Sequence, residues 1–140
     1  MNVYVDASVL VALLTEDPLT ARADMLLRDK RSEIVLSDFA GAEFASVIAR
    51  RVRMGDHTAD DARAAFVTLE LWSSTVSYFI ETTSADIRVA TNYLRRLDVT
   101  PRAPDAINIA IAERAGAALA TFDAKMIVAA RRLGLGVLDA

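Results

Sequence analysis

Short apolar runs that suit β-strands alternate along this chain with longer stretches of helical periodicity, and this alternation strongly restricts the possible folds. The runs lie at residues 3–5, 34–36, 76–82, 117–121 and 137–138. Strands that follow one another through helices and short links pair in parallel by right-handed crossovers. We therefore expect an α/β fold, a three-layer sandwich around a central parallel sheet of four to five strands.

The stretches between these runs carry residues that typically begin or end helices. In chain order they are Pro18 at the start of a short helix, Ser37 as a cap, Thr58 with Asp61 as a capping box, Ser84 as a cap, Pro104 at the start of an apolar helix, Gly116 after its end, and Asp123 at the head of a helix that ends at Gly134. These signals predict helices in every interval between the strands.

The length and apolar content of the chain favour one globular domain over residues 1–140. A chain of 140 residues is long enough for one core and short for two. No apolar run is long enough to span a membrane, and the first residues lack the basic and apolar segments of an export signal. We therefore expect a cytoplasmic protein without membrane association.

The absence of cysteine and the single histidine exclude several kinds of chemistry. Without cysteine there are no disulfides, thiolate nucleophiles or cysteine-ligated metal centres. His57 lies in a polar segment that we interpret as a solvated turn, so a Ser-His-Asp triad or a multi-histidine metal site is not expected. Chemistry that depends on carboxylates is not excluded and is therefore the kind that we expect.

The net charge of −3 gives no overall basic field for nucleic acid. The basic residues are nonetheless 14 arginines and two lysines, and many of the arginines occur in clusters. Arginine forks bind phosphate oxygens, so local patches could hold a phosphate backbone, although solvated helix faces would have the same composition.

Four carboxylates occur where a strand ends or on a helix that follows one. Asp6, Asp105 and Asp123 each precede or begin a helix, where an aspartate can serve simply as a cap. Glu43 differs, because Phe39 lies four residues before it and places the carboxylate on an apolar helix face. A buried carboxylate is normally paired with a cation or bound to a metal.

Together the four acids indicate a cation site. Ligands of open α/β sheets bind beyond the carboxyl ends of the strands, where acids from separate segments can meet. Two such charges about 4 Å apart repel by roughly 4 kcal/mol near a protein surface, unless a cation neutralises them. The oxygen ligands favour Mg²⁺ or Mn²⁺.

These residues and their surroundings resemble those of the PIN-domain nucleases, and among them the VapC-type ribonuclease toxins of toxin–antitoxin pairs. The resemblance covers nearly the whole chain and is carried by four motifs in the same order. They are Val3-Tyr4-Val5-Asp6-Ala7-Ser8-Val9-Leu10, Ala42-Glu43-Phe44, Ala103-Pro104-Asp105-Ala106 and Thr121-Phe122-Asp123.

The resemblance implies a Mg²⁺- or Mn²⁺-dependent endoribonuclease with an RNA substrate, a homodimer, and inhibition by a cognate antitoxin protein. It further implies an acidic quartet of catalytic and metal-binding residues with two supporting residues in the pocket. The quartet is Asp6, Glu43, Asp105 and Asp123, and the supporting residues are Ser8 and Thr121. Asn108 stands where many relatives carry histidine, which leaves open whether this position supports the site.

Two other functions are compatible with parts of the sequence. A phosphohydrolase of the haloacid-dehalogenase type also begins with an aspartate after the first strand, but Ser8 stands where its second aspartate would be. A non-catalytic PIN-like binding module would keep the acids as caps and use its apolar helix faces to bind a partner helix.

Overall fold

The computed structural model describes residues 1–138, over which strands and helices alternate as the sequence predicts. The elements are β1 (Asn2–Val5), α1 (Ala7–Leu14), α2 (Thr20–Leu26), β2 (Glu33–Ser37), α3 (Asp38–Arg53), α4 (Ala59–Ser73), β3 (Tyr78–Ile80), α5 (Ser84–Arg95), α6 (Ala103–Arg114), β4 (Ala117–Ala120) and α7 (Ala124–Arg132).

The strands form one parallel sheet in the order β3-β2-β1-β4. Strand β1 lies inside the sheet and pairs with β2 on one side and with β4 on the other, with Tyr4 opposite both Val35 and Leu119. The C-terminal run reaches β4 through a single parallel bridge between Leu119 and Val137. The predicted α/β sandwich with a parallel sheet is therefore confirmed.

Helices cover both faces of the sheet, because successive side chains of each strand point to opposite sides. Val3 and Val5 of β1 belong to one buried cluster, which also contains Phe44 of α3. Tyr4 points the other way into a second cluster with Ile109 of α6 and Met126 of α7. The sheet is thus the middle layer, and its exit edge lies between two layers of helices.

Strand β3 is shorter than predicted because it is an edge strand. It pairs only with β2 and only over Tyr78–Ile80, whereas the sequence pattern extends from 76 to 82. Tyr78 and Phe79 are exposed, so their aromatic character does not report burial. Propensity marks the strand correctly but does not find its ends.

Two predicted helix starts are displaced. Helix α2 begins at Thr20, because Pro18 and Leu19 form the turn that precedes it. The cap of α5 is Thr83 and not Ser84. Thr83 accepts a hydrogen bond from the Asp86 amide, and the Asp86 carboxylate accepts one from the Thr83 amide. The predicted capping box of Thr58 and Asp61 is confirmed.

His57 lies in the turn between α3 and α4, as predicted, but it is only half-exposed. Its Nδ1 is buried and has no hydrogen-bond partner among the described residues. The predicted turn is therefore present, but the ring is more buried than that of a solvated turn residue. Over residues 1–138, no helix combines the length and the apolarity that crossing a bilayer requires.

An ion pair between a buried aspartate and an exposed arginine joins α5 to the C-terminal end of α6. Arg114 Nε and Nη2 donate to the two carboxylate oxygens of Asp86 at 2.8 and 2.9 Å, and Nη2 also donates to the Glu81 carbonyl. Burial by itself would raise the pKa of Asp86, but the bonds from Arg114 and Thr83 outweigh it and lower that pKa.

We expect Asp86→Asn to lower the free energy of unfolding by about 2 kcal/mol near neutral pH, because Arg114 loses a charged partner. A carboxylate with a lowered pKa in the folded state stabilises above its ordinary pKa, and this contribution is lost as the pH falls through the folded value. Urea denaturation should therefore show a difference between the wild type and the variant at about pH 7 that narrows at about pH 3, below the ordinary pKa of the carboxyl. A difference that is the same at both pH values would contradict the assignment.

Candidate active site

Asp6 follows β1 directly and caps α1 at the carboxyl edge of the sheet. Its Oδ1 accepts hydrogen bonds from the Val9 amide at 3.1 Å and from Ser8 Oγ at 2.7 Å, and its Oδ2 accepts one from Thr121 Oγ1 at 2.5 Å. The side chain is only 3% exposed. The pKa of Asp6 is raised, because burial outweighs the three hydrogen bonds that lower it and the charge of Asp123 raises it further.

Ser8 and Thr121 connect Asp6 to the segment that leaves β4. Ser8 Oγ accepts a hydrogen bond from the Phe122 amide at 2.9 Å, and Thr121 Oγ1 accepts one from the Asp123 amide at 3.0 Å. The two hydroxyl oxygens lie 3.4 Å apart. Both residues therefore donate to Asp6, and their place as supporting residues of a pocket, which the family resemblance implies, remains a prediction.

Glu43 reaches the same region from α3, which begins where β2 ends. Its Oε1 accepts a hydrogen bond of 2.6 Å from Asn108 Nδ2 of α6. Burial raises the pKa of the Glu43 carboxyl, the bond from Asn108 lowers it, and the charges of Asp6 and Asp105 raise it. The sequence predicted a buried, apolar face around Glu43, whereas the side chain is only half-buried and Val47, four residues further on, is exposed.

Asp105 lies in the first turn of α6, at the third helical position. Its Oδ2 accepts a hydrogen bond of 3.1 Å from the Arg102 amide, which reproduces the acidic half of a capping box. Burial raises the pKa of Asp105 and the charge of Asp123 raises it too, while the Arg102 amide and the charges of Arg102 and Lys125 lower it. Two cationic side chains thus lie near this acid.

Asp123 caps α7, the helix that follows β4. Its Oδ1 accepts hydrogen bonds from the Lys125 amide at 2.9 Å and from the Met126 amide at 3.3 Å. Three of the four acids therefore cap helices, as their simplest structural interpretation requires. Capping engages only part of each carboxylate and does not account for Glu43, which lies within α3.

The four acids are electrostatic neighbours, although they come from four separate parts of the chain. The charges of Asp6 and Asp105 raise the pKa of Glu43, and the charge of Asp123 raises the pKa of both Asp6 and Asp105. In the part of the chain that the structure describes, every arginine–carboxylate ion pair involves other acids, so no arginine forms an ion pair with a member of this cluster. Such an unpaired group of carboxylates fits a divalent cation.

The side chains do not form a preformed ion cage. Within residues 1–138, no three carboxylate or imidazole groups converge closely enough to hold a metal ion among them. Repulsion between like charges favours such spacing, and the caps hold part of each aspartate against its own helix. The donor set is nevertheless the one that Mg²⁺ or Mn²⁺ prefers, since it consists of carboxylate and hydroxyl oxygens.

Three further side chains near the acids had no assigned role in the sequence. The Arg22 guanidinium of α2 lies 5.1 Å from the centre of the Phe122 ring, next to Asp123. Asn108 and Tyr4 are fully buried and hydrogen-bonded to each other. The detectable signal was a lone amide in the apolar helix α6, because a buried polar side chain requires a partner.

We expect Asp6→Asn to lower the pKa of the Glu43 carboxyl, because the substitution removes a negative charge that now raises it. Carbon-13 NMR titration of glutamate-labelled protein would measure this pKa. Asp60→Asn is a control, since Asp60 is an exposed acid of α4 paired with Arg63. A Glu43 titration curve that is the same in the wild type and in Asp6→Asn would show that the two acids are not neighbours.

Comparisons with known proteins agree with this geometry. The sequence model of a family described as the PIN domain matches residues 3–132. No curated protein sequence matches significantly. Among solved structures, VapC20 from Mycobacterium tuberculosis, described as a toxin that cleaves the sarcin–ricin loop, is similar with a TM-score of 0.71 and 24% identity over 91% of this chain and 94% of that one.

Two complexes from other bacteria contain similar chains. VapBC2 from Rickettsia felis, bound to a DNA fragment from its promoter, matches with a TM-score of 0.71 and 15% identity over 99% of this chain and 98% of that one. FitAcB from Neisseria gonorrhoeae matches with a TM-score of 0.65 and 21% identity over 98% and 96%. At these identities, the likeness establishes the fold.

Proposed function

The chain belongs to the PIN-domain family, and from this premise we propose that it is a metal-dependent endoribonuclease, the toxin of a toxin–antitoxin pair. The observation that carries the proposal is the cluster of four acids at one edge of the sheet. Burial raises the pKa of three of the carboxyls, the charges of neighbouring acids raise it further, and no arginine within residues 1–138 forms an ion pair with any of the four. A fold gains nothing from such repulsion, which a bound cation would relieve.

Asp6, Glu43, Asp105 and Asp123 are the residues that would hold Mg²⁺ or Mn²⁺. We assign direct ligation to Asp6 and Asp105, whereas Glu43 and Asp123 complete a second ion position or orient the attacking water. A bound divalent ion supplies Lewis-acid stabilisation of the phosphate and a water of lowered pKa. No side-chain nucleophile is required, in keeping with a chain that has no cysteine and whose single histidine lies in the turn between α3 and α4.

The protein groups around the acids orient the carboxylates and attract the substrate. Ser8 and Thr121 donate to Asp6 and so fix its plane, and these hydrogen bonds lower the Asp6 pKa that burial raises. Arg102 and Lys125 lie close enough to affect the charge state of Asp105, and a phosphate oxygen at the site would feel the same positive charges. These two cations offset part of the repulsion between the four carboxylates and the phosphates of a nucleic acid.

The partners that we propose are an RNA substrate, an antitoxin protein and a second copy of the chain. The solved structures of similar fold include VapBC and FitAB complexes, which supports an antitoxin partner. An antitoxin could place an arginine or lysine among the four carboxylates, where it would neutralise the charge that otherwise binds the metal.

The phosphohydrolase alternative requires Asp6 to act as a nucleophile. Both oxygens of Asp6 accept hydrogen bonds from the protein, and Ser8 donates one of them from the position of the expected second aspartate. This environment favours an oriented metal ligand over an attacking group. Capping accounts for the three aspartates but not for Glu43, so a purely structural interpretation leaves one buried acid unexplained.

We expect Asp6→Asn to abolish cleavage of RNA in the presence of Mg²⁺ or Mn²⁺ while the fold is kept. Asparagine keeps the oxygen that caps α1 and replaces the one that accepts from Thr121, so loss of cleavage in a variant that remains folded should come from the missing charge. The measurement is cleavage of total RNA with each ion and with a chelator, together with circular dichroism of the variant. Glu70→Gln, an exposed change on α4, is the control that should cleave normally.

Cleavage by Asp6→Asn at the wild-type rate would refute the assignment of the acids. Cleavage by the wild type that persists in excess chelator would instead refute the metal while leaving a nuclease. The two results therefore separate the residues from the cofactor.

We also expect induced expression of the wild type to arrest bacterial growth, and expression of Asp105→Asn to leave growth normal. The reason is that a ribonuclease without its inhibitor degrades RNA that the cell needs. Growth curves with matched protein levels on immunoblots provide the measurement. Equal arrest by both proteins would mean that toxicity does not depend on the acid cluster.

A further inference from the structure

A chain of buried hydrogen bonds leads from the start of α3 to the Glu43 carboxylate. Ser37 Oγ lies 2.6 Å from the Tyr4 hydroxyl, Tyr4 donates to Asn108 Oδ1 at 2.6 Å, and Asn108 Nδ2 donates to Glu43 Oε1 at 2.6 Å. Ser37, Tyr4 and Asn108 are each 0% exposed. The chain thus lies inside the protein and ends at an acid of the candidate site.

The direction of every bond in this chain is fixed by its two ends. An ionised carboxylate can only accept, so the amide nitrogen of Asn108 must face Glu43 and its oxygen must face Tyr4. The single proton of the Tyr4 hydroxyl then goes to Asn108, which leaves Ser37 to donate to Tyr4. Ser37 Oγ in turn accepts a bond from the Ala40 amide at 2.9 Å as the cap of α3.

The chain also connects three of the elements that carry the acids. Tyr4 lies two residues before Asp6 on the same segment, and Asn108 lies one turn after Asp105 in α6. Ser37 and Glu43 both belong to α3 or its cap, so the hydrogen bonds leave this helix and return to it through β1 and α6. The chain therefore fixes Glu43 relative to both Asp6 and Asp105.

A core does not need such a chain for stability. Replacing both members of a buried hydrogen bond with apolar side chains of similar shape often changes the free energy of unfolding little. Removing only one member lowers it strongly, because the other is left without a partner. Cooperative bonds of fixed direction do provide a unique orientation of the last acceptor. Here that acceptor is the one acid of the quartet that no helix cap holds in place.

We propose that Asn108 is a positioning residue for Glu43, held in its one productive amide orientation by Tyr4 and Ser37. This proposal rests on the proposed function, because it states that the chain of hydrogen bonds orients the Glu43 carboxylate towards the site where RNA is cleaved. Asn108 fills this role from inside α6, where its second amide proton is satisfied by the Pro104 carbonyl at 3.0 Å. Neither Tyr4 nor Ser37 touches the acid itself in this arrangement.

Two substitutions test the chain at different links. Asn108→Leu keeps a similar volume and removes the donor to Glu43. Tyr4→Phe removes one oxygen atom and leaves both Glu43 and Asn108 unchanged in sequence. Asp86→Asn serves as the destabilised control. Asp86 pairs with Arg114, which lies nine residues after Asp105 and therefore about 13 Å further along α6, away from the four acids.

The first measurement needs neither metal nor RNA. Carbon-13 and nitrogen-15 NMR of the metal-free protein would follow the Glu43 carboxyl and the Asn108 side-chain amide, with Glu43→Gln used for assignment. We expect Tyr4→Phe to shift both signals, although the changed atom lies two hydrogen bonds from Glu43. Asp86→Asn should leave both signals in place.

The second measurement is steady-state cleavage of RNA with Mg²⁺. We expect Asn108→Leu to lower kcat by about ten- to a hundredfold with KM nearly unchanged, as is usual when a supporting partner of a metal ligand is lost. Tyr4→Phe should lower kcat by a smaller factor, and Asp86→Asn should keep the wild-type kcat.

Unmoved Glu43 signals in both Asn108→Leu and Tyr4→Phe would overturn the proposal. So would a kcat that falls equally in Asn108→Leu and in Asp86→Asn, since the effect would then follow stability alone. If the wild type cleaves no RNA at all, the proposed function fails, and the NMR shifts still decide whether Asn108 and Tyr4 position Glu43.

Discussion

Parallel pairing of β1 with both of its neighbours is the constraint on which the candidate site depends. Because β2, β1 and β4 run in the same direction, their carboxyl ends meet at one edge of the sheet. Asp6 follows β1, Asp123 follows β4, and α3 with Glu43 starts directly after β2. Residues more than a hundred positions apart in the chain become neighbours through backbone hydrogen bonds alone.

This arrangement gathers like charges, and the protein reduces the cost by giving each acid a local donor. Asp6 receives two hydroxyls and an amide, Asp105 and Asp123 receive amides of their own helices, and Glu43 receives the amide of Asn108. All these donors are neutral. They reduce the burial penalty without cancelling the negative charge, so the attraction for a cation persists.

The sequence predicts the layers and most of the helix ends because their signals are local. Thr58 with Asp61, Pro104 and Gly116 act within a few residues, and Gly116 adopts the left-handed conformation, with φ of 61°, that its place after α6 requires. The cap of α5 was misplaced by one residue, although the spacing of Thr83 and Asp86 repeats that of Thr58 and Asp61. The same pattern would have identified it.

The four acids could be named from their positions, but their surroundings could not. Tyr4 and Asn108 are 104 residues apart, and Asn108 and Glu43 are 65 apart, so no local pattern pairs them. At the edge strand β3 the local pattern is strong, but it predicts a strand that is too long. Its aromatic residues have strong β propensity, yet pairing with β2 alone decides how far the strand extends.

Asp6 and Asp123 serve the fold as helix caps and the candidate site as charged groups, and these two duties have different chemical requirements. A cap needs only an oxygen acceptor, which asparagine supplies as well as aspartate. A cation site needs the negative charge. At Asp123, where the cap uses Oδ1, one exchange of oxygen for nitrogen removes the charge and keeps the cap, so this site can lose part of its charge in a single substitution while the helix start is preserved.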